Sequence, residues 1–87
     1  MKCVKRSIAG TLESSDVMVE IIPWDKPLKV NIVSDVDKQY GGQIRALVDN
    51  VIKDKNADQI CVNITDKGAL DFTIVARLKT ALHRASQ

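Results

Sequence analysis

Few side chains in this 87-residue chain are able to do chemistry. Ser14 lies in Glu13-Ser14-Ser15-Asp16, a short polar run of turn-forming residues. Such a serine either simply builds the turn or accepts a group from a modifying enzyme. The second use needs a projecting hydroxyl, few obstructing neighbours and flanks the modifier can recognise. Glu13 and Asp16 would supply acidic flanks for docking on a basic partner surface. Asp66 and Asp71 form a second carboxylate pair, able in principle to share acid–base work, but both fall where a helix start wants a cap. The only histidine, His83, falls in the last turn of a C-terminal helical stretch, where its partners are free carbonyls or solvent. Cys3 and Cys61 lack metal-ligand spacing and read as small inert thiols, with one disulfide left open on sequence alone. Gly41-Gly42 is not followed by Lys-Ser or Lys-Thr, so it is no phosphate-cradling loop. Neither a nucleophile–base pair nor a metal cluster emerges, and a stand-alone enzyme is a poor fit.

The elements that must position these residues follow from hydrophobic periodicity. Four segments alternate with period 2 and read as strands: residues 8–13, 17–22, 28–33 and 59–65. Val17, Val19 and Ile21 share one face, as do Ile60, Val62 and Ile64. The polar run at 13–16 predicts a hairpin between the first two strands. Residues 23–27 carry proline at both ends and predict a loop between the second and third. Val36, Tyr40, Ile44, Leu47, Val48, Val51 and Ile52 make one helical stripe, with Ser34 as the expected cap. Gly41-Gly42 inside that stripe predicts a close approach to a neighbour or a local irregularity. Leu70, Ile74, Leu78, Ala81, Leu82 and Ala85 make a second stripe, which Asp66 or Asp71 would cap. The order β-β-β-α-β-α predicts an α+β two-layer sandwich: a four-stranded mixed sheet with both helices on one face. Strands three and four would be parallel across the helical crossover, and the earlier pairs antiparallel hairpins.

Composition bounds the alternatives. The chain is one small domain spanning residues 1–87, with an expected radius of gyration of about 12 Å. Its 13 Lys+Arg and 11 Asp+Glu are spread evenly, six of each sign in residues 1–43 and seven against five in 44–87. A nucleic-acid binder usually shows a basic cluster, and three aromatics (Trp24, Tyr40, Phe72) are too few for a base-stacking platform. The apolar runs fall far short of a membrane span, and residues 1–10 do not read as a signal peptide. With two lone thiols, that predicts a reducing cytoplasm.

Three stretches together resemble a known family. Ala9-Gly10-Thr11-Leu12-Glu13-Ser14-Ser15-Asp16-Val17-Met18 resembles the signature of the acyl carrier subunit, or gamma chain, of citrate lyase. Val36-Asp37-Lys38-Gln39-Tyr40-Gly41 resembles the family's helix start. Asp66-Lys67-Gly68-Ala69-Leu70-Asp71, with Ala76-Arg77-Leu78 and His83-Arg84-Ala85, resembles its C-terminal helix. The likeness runs from about residue 8 to residue 86.

The resemblance implies that Ser14 carries phosphoribosyl-dephospho-coenzyme A through a phosphodiester. The group's thiol would hold an acetyl thioester. The alpha (acyl transferase) subunit would exchange acetyl for citryl, and the beta (citryl lyase) subunit would release oxaloacetate and regenerate the acetyl form. A prosthetic-group transferase would load the arm. The carrier itself would supply attachment and positioning rather than catalysis. A tethered arm raises the local thioester concentration at each partner, typically to the millimolar range. Ser15 directly follows Ser14, and the motif alone assigns the site to Ser14. The alternative is the acyl carrier subunit of a malonate decarboxylase, which uses the same kind of group and differs in its partners.

Overall fold

The computed structural model describes residues 1–35 and 41–87. Chain order is β1 (Ser7–Gly10), β2 (Val17–Pro23), β3 (Lys29–Ser34), α1 (Gly41–Asp54), β4 (Ile60–Asp66) and α2 (Asp71–Ala85). This is the predicted β-β-β-α-β-α order. The radius of gyration is 11.8 Å.

The sheet order is β1-β2-β4-β3. β1 and β2 form the predicted antiparallel hairpin, with Gly10 opposite Met18. β3 and β4 are parallel, as the crossover predicts. The expected pairing of the second and third strands does not form. β4 inserts between them and runs antiparallel to β2, from Val17↔Asp66 to Pro23↔Ile60. Burial explains the choice. On β4 Ile60, Val62 and Ile64 are buried on one face and Cys61 on the other, so β4 suits a central position. β3 carries exposed Lys29, Asn31 and Val33, which suit an edge. Residues 24–28 need only span the ~10 Å across one intervening strand.

Val17, Val19, Ile21, Ile60, Val62 and Ile64 form one core with α1 (Ile44, Val48, Val51, Ile52) and α2 (Ile74, Leu78, Ala81, Leu82, Ala85). Both helices therefore cover the same face. Leu47, expected on the α1 stripe, is only partly buried at its margin, and Leu70, expected on the α2 stripe, is exposed. The open face carries a polar row in register across three strands. The Asn31 amide donates to Asn63 Oδ1 (2.9 Å), Asn63 donates to Glu20 Oε1 (3.0 Å), and Arg6 Nε donates to Glu20 Oε2 (2.6 Å). Those donors, Asn63 first and Arg6 second, hold the Glu20 carboxyl below its usual range.

Several local expectations change. The first strand ends at Gly10, where φ is +89°, rather than running to Glu13. A Cβ on Gly42 would meet open space, so the expected close approach is absent there. Ser34 closes β3, and its hydroxyl donates to Asp66 Oδ2 (2.8 Å). The expected stripe positions Val36 and Tyr40, and any cap ahead of Gly41, lie outside the described residues. Neither Asp66 nor Asp71 caps α2. The N-cap is Leu70, without a side-chain bond, and Asp66 Oδ1 instead accepts from the Ala69 amide (2.9 Å) in the preceding loop.

Candidate functional site

Residues 11–16 join β1 to β2 and build the site from local bonds. Gly10 is required at the entrance: a Cβ there would lie 1.8 Å from the Val17 carbonyl oxygen and 3.3 Å from Arg77 Cδ. Thr11 Oγ1 donates to Asp16 Oδ2 (2.6 Å) and accepts from the Glu13 amide (3.2 Å). The Asp16 amide donates to the Glu13 carbonyl (3.1 Å), closing a four-residue turn with Ser14 and Ser15 at its centre. Two further bonds extend the β2–β4 ladder past its last pair. The Ser15 amide donates to the Lys67 carbonyl (2.8 Å), and the Lys67 amide to the Asp16 carbonyl (2.9 Å).

Ser14 is exposed at the tip, and no described residue hydrogen-bonds its hydroxyl. Ser15 is exposed as well, but its φ of 66° is left-handed, and its amide is tied to β4's exit. A positive φ at the second central position is the type II pattern, which favours Gly. Ser15→Gly should therefore stabilise the fold by up to about 1 kcal/mol, which a denaturant melt checks.

Asp16 is not an outward flank. Arg77, on α2, grips its carboxylate with Nε to Oδ1 at 3.2 Å and Nη2 to Oδ2 at 3.3 Å, and the Val17 amide donates to Oδ1 (2.7 Å). The Thr11 hydroxyl, then the Val17 amide, then Arg77 lower the Asp16 pKa to about 2 against a partly opposing desolvation. The sign of the linkage is that of a depressed acid. The stabilisation is present above the unfolded value near 3.8 and is lost as pH falls through the folded value. A carbon-detected titration of Asp16 should show a midpoint near 2, with stability falling between about pH 4 and pH 2. Glu13 remains exposed with no ion pair among the described residues.

Exposed apolar side chains at this end of the sheet are Leu12 in the turn, Leu70 just before α2, Phe72 in the first turn of α2 and Val33 near the end of β3. A neighbouring cleft of about 190 Å³ is lined by Gln43, Ile44, Asp66, Gly68, Ala69, Asp71 and Ile74. That is below the ~300 Å³ at which sites for small ligands begin. Among the described residues no cluster of three or more His, Cys, Asp and Glu side chains is placed to hold a metal. Cys3 and Cys61 are free and buried, and burial pushes the Cys3 thiol up. His83 is exposed, with its ring Nε2 2.9 Å from the Gln87 amide.

Arg77 is the residue the local sequence does not disclose. It is 61 positions from Asp16. The available signal is a charged residue three positions after Ile74 and four before Ala81, set into the flank of a buried stripe.

The profile of the family described as "Malonate decarboxylase delta subunit (MdcD)" matches residues 4–85. A Halothermothrix orenii protein named citrate lyase acyl carrier protein is 39% identical over 87 residues, covering 100% of this chain and 93% of its own. A Cronobacter sakazakii protein of the same name is 48% identical over 87 residues, covering 100% and 90%. A chain in the crystal structure of a Pseudomonas malonate decarboxylase hetero-tetramer with malonate superposes with a TM-score of 0.82 at 19% identity, over 93% of this chain and 84% of that one. At that identity the superposition shows a shared fold. The full-length similarity places this chain in the citrate lyase acyl carrier protein family.

Proposed function

We propose that this acyl carrier acts in citrate lyase and bears phosphoribosyl-dephospho-coenzyme A on Ser14 through a phosphodiester. The observation that carries the reading is the Ser14 hydroxyl, exposed and without a hydrogen bond to any described residue, on a turn held through Thr11, Ser15 and Asp16. A bulky phosphodiester fits there without displacing a contact. When bound, the group supplies a thiol for the acetyl or citryl thioester. The chain's own residues attach and orient: Gly10 lets the hairpin close, Thr11, Asp16 and Arg77 set the turn, and the sheet fixes its base. No side chain of the carrier takes part in bond cleavage on this reading.

The partners are the alpha (acyl transferase) and beta (citryl lyase) subunits, and a prosthetic-group transferase that loads Ser14. Exposed Leu12, two residues before the serine, gives such proteins an apolar contact, with Glu13 as the remaining outward acidic flank. No helix among the described residues is long and apolar enough to cross a membrane, and two free thiols fit a reducing cytoplasm.

Reconstitution tests the reading. The loaded chain, mixed with the two larger citrate lyase subunits, should support cleavage of citrate to acetate and oxaloacetate. Activity with malonate decarboxylase subunits instead would favour the malonate alternative. The 39–48% identities to citrate lyase carriers weigh against that outcome.

A further inference from the structure

We infer that Arg77 is a positioning residue for the modification of Ser14, holding the 11–16 turn in one conformation through Asp16. The inference rests on the carrier reading. Arg77 projects from α2 between Ile74 and Leu78, both buried, so its base is set by the packed core. Its stem lies over Gly10, and its guanidinium spans both Asp16 oxygens, so one side chain touches the start and the end of the turn. The bonds from Thr11 to Asp16 and from Glu13 to Thr11 are local and can move with the turn, and the Val17 amide that donates to Asp16 Oδ1 belongs to the next residue in the chain. The backbone bonds to Lys67 continue the β2–β4 ladder at the foot of the turn. Arg77 adds a side-chain tie from the turn to a helix packed in the core.

The Arg77 side chain is 43% exposed. A pair of that kind contributes little to global stability. Its consequence is local: without it the turn samples other conformations while the core stays closed. The chemistry is sensitive to such sampling. A phosphodiester at Ser14 requires a donor whose phosphorus carries a leaving group, such as a phosphoanhydride form of the prosthetic group. The Ser14 oxygen would bond to that phosphorus, the bond to the bridging oxygen would break, and the phosphate leaving group would depart with the electron pair. The hydroxyl proton passes to a base on the transferase. An incoming oxygen misplaced by about 1 Å can cost on the order of 100-fold in rate.

The test compares wild type, Arg77→Gln and Arg77→Lys with purified transferase and the phosphoanhydride donor of the prosthetic group, followed by intact mass. Amide exchange is recorded in parallel on the unmodified proteins. The expected result is a roughly 10- to 100-fold loss in kcat/KM for Arg77→Gln and recovery of most of it by Arg77→Lys. Faster exchange at the Ser15 and Asp16 amides, with β2 and β4 core amides unchanged, should accompany the loss. Loading of Arg77→Gln at the wild-type rate would overturn the inference, as would unchanged exchange in the turn. A general collapse of protection or of the melting temperature in Arg77→Gln would overturn it too, because Arg77 would then be a structural residue. Failure of wild type to load, with the transferase active on a known carrier, would instead sink the carrier reading, and the exchange comparison would still decide whether Arg77 holds the turn.

Discussion

Ser14→Ala is expected to abolish loading of the prosthetic group and all carrier function while changing stability by no more than about 0.5 kcal/mol. The two halves of that expectation have separate causes. The hydroxyl is the acceptor in the proposed phosphodiester, and Ala offers no oxygen in its place. Stability is unaffected because Ser14 is exposed and its hydroxyl bonds no described residue. The turn closes through Glu13 and Asp16 backbone groups and is held by Thr11, Asp16 and Arg77, none of which uses the Ser14 side chain. Intact mass after exposure to the transferase checks the first half, and a urea melt checks the second. A marked loss of stability in Ser14→Ala would make Ser14 a structural turn residue.

Gly10→Ala is expected to destabilise the fold by roughly 3 kcal/mol or more. The added methyl would lie 1.8 Å from the Val17 carbonyl oxygen, a backbone atom held in the sheet. A flexible side chain could rotate away from such a contact, but β2 cannot, because Val17 pairs with Asp66 on β4 and is fully buried. Two costs therefore add: the φ of +89°, which an L-residue resists, and separation of the β1–β2 pair at Gly10↔Met18. Opening the hairpin would also shift Arg77, whose Cδ lies 3.3 Å from the same point. The variant should lose both stability and loading, read by urea melt and intact mass. That double loss distinguishes it from Ser14→Ala, which loses loading alone.

Much of this arrangement is legible from local sequence because it depends on local periodicity. Val17, Val19 and Ile21, and Ile60, Val62 and Ile64, alternate cleanly and are the buried faces of β2 and β4. The turn at 13–16 is legible for the same reason, since its residue types carry their own conformational preferences. Strand order is different in kind. Whether β3 or β4 lies beside β2 depends on which strand is flanked on both edges and which tolerates an open edge, a property of the finished sheet. Asp16 shows the same limit within the site. Its residue type reads as an acidic flank, while its partner Arg77 arrives from a helix 61 positions later and draws the carboxylate inward. Leu70 shows it at a helix end: periodicity extends the stripe back to it, but α2 starts only at Asp71 and leaves it exposed. The motif assigns the site to Ser14, and the left-handed φ of Ser15 distinguishes the two adjacent serines physically.

The central claim is tested most directly by intact-mass and peptide-mapping mass spectrometry of the chain co-expressed with its prosthetic-group synthesis and transfer enzymes. The account predicts a gain equal to one phosphoribosyl-dephospho-coenzyme A, mapped to Ser14. No gain, with the transferase shown to be active on a known carrier, or a gain mapped to Ser15, would contradict it.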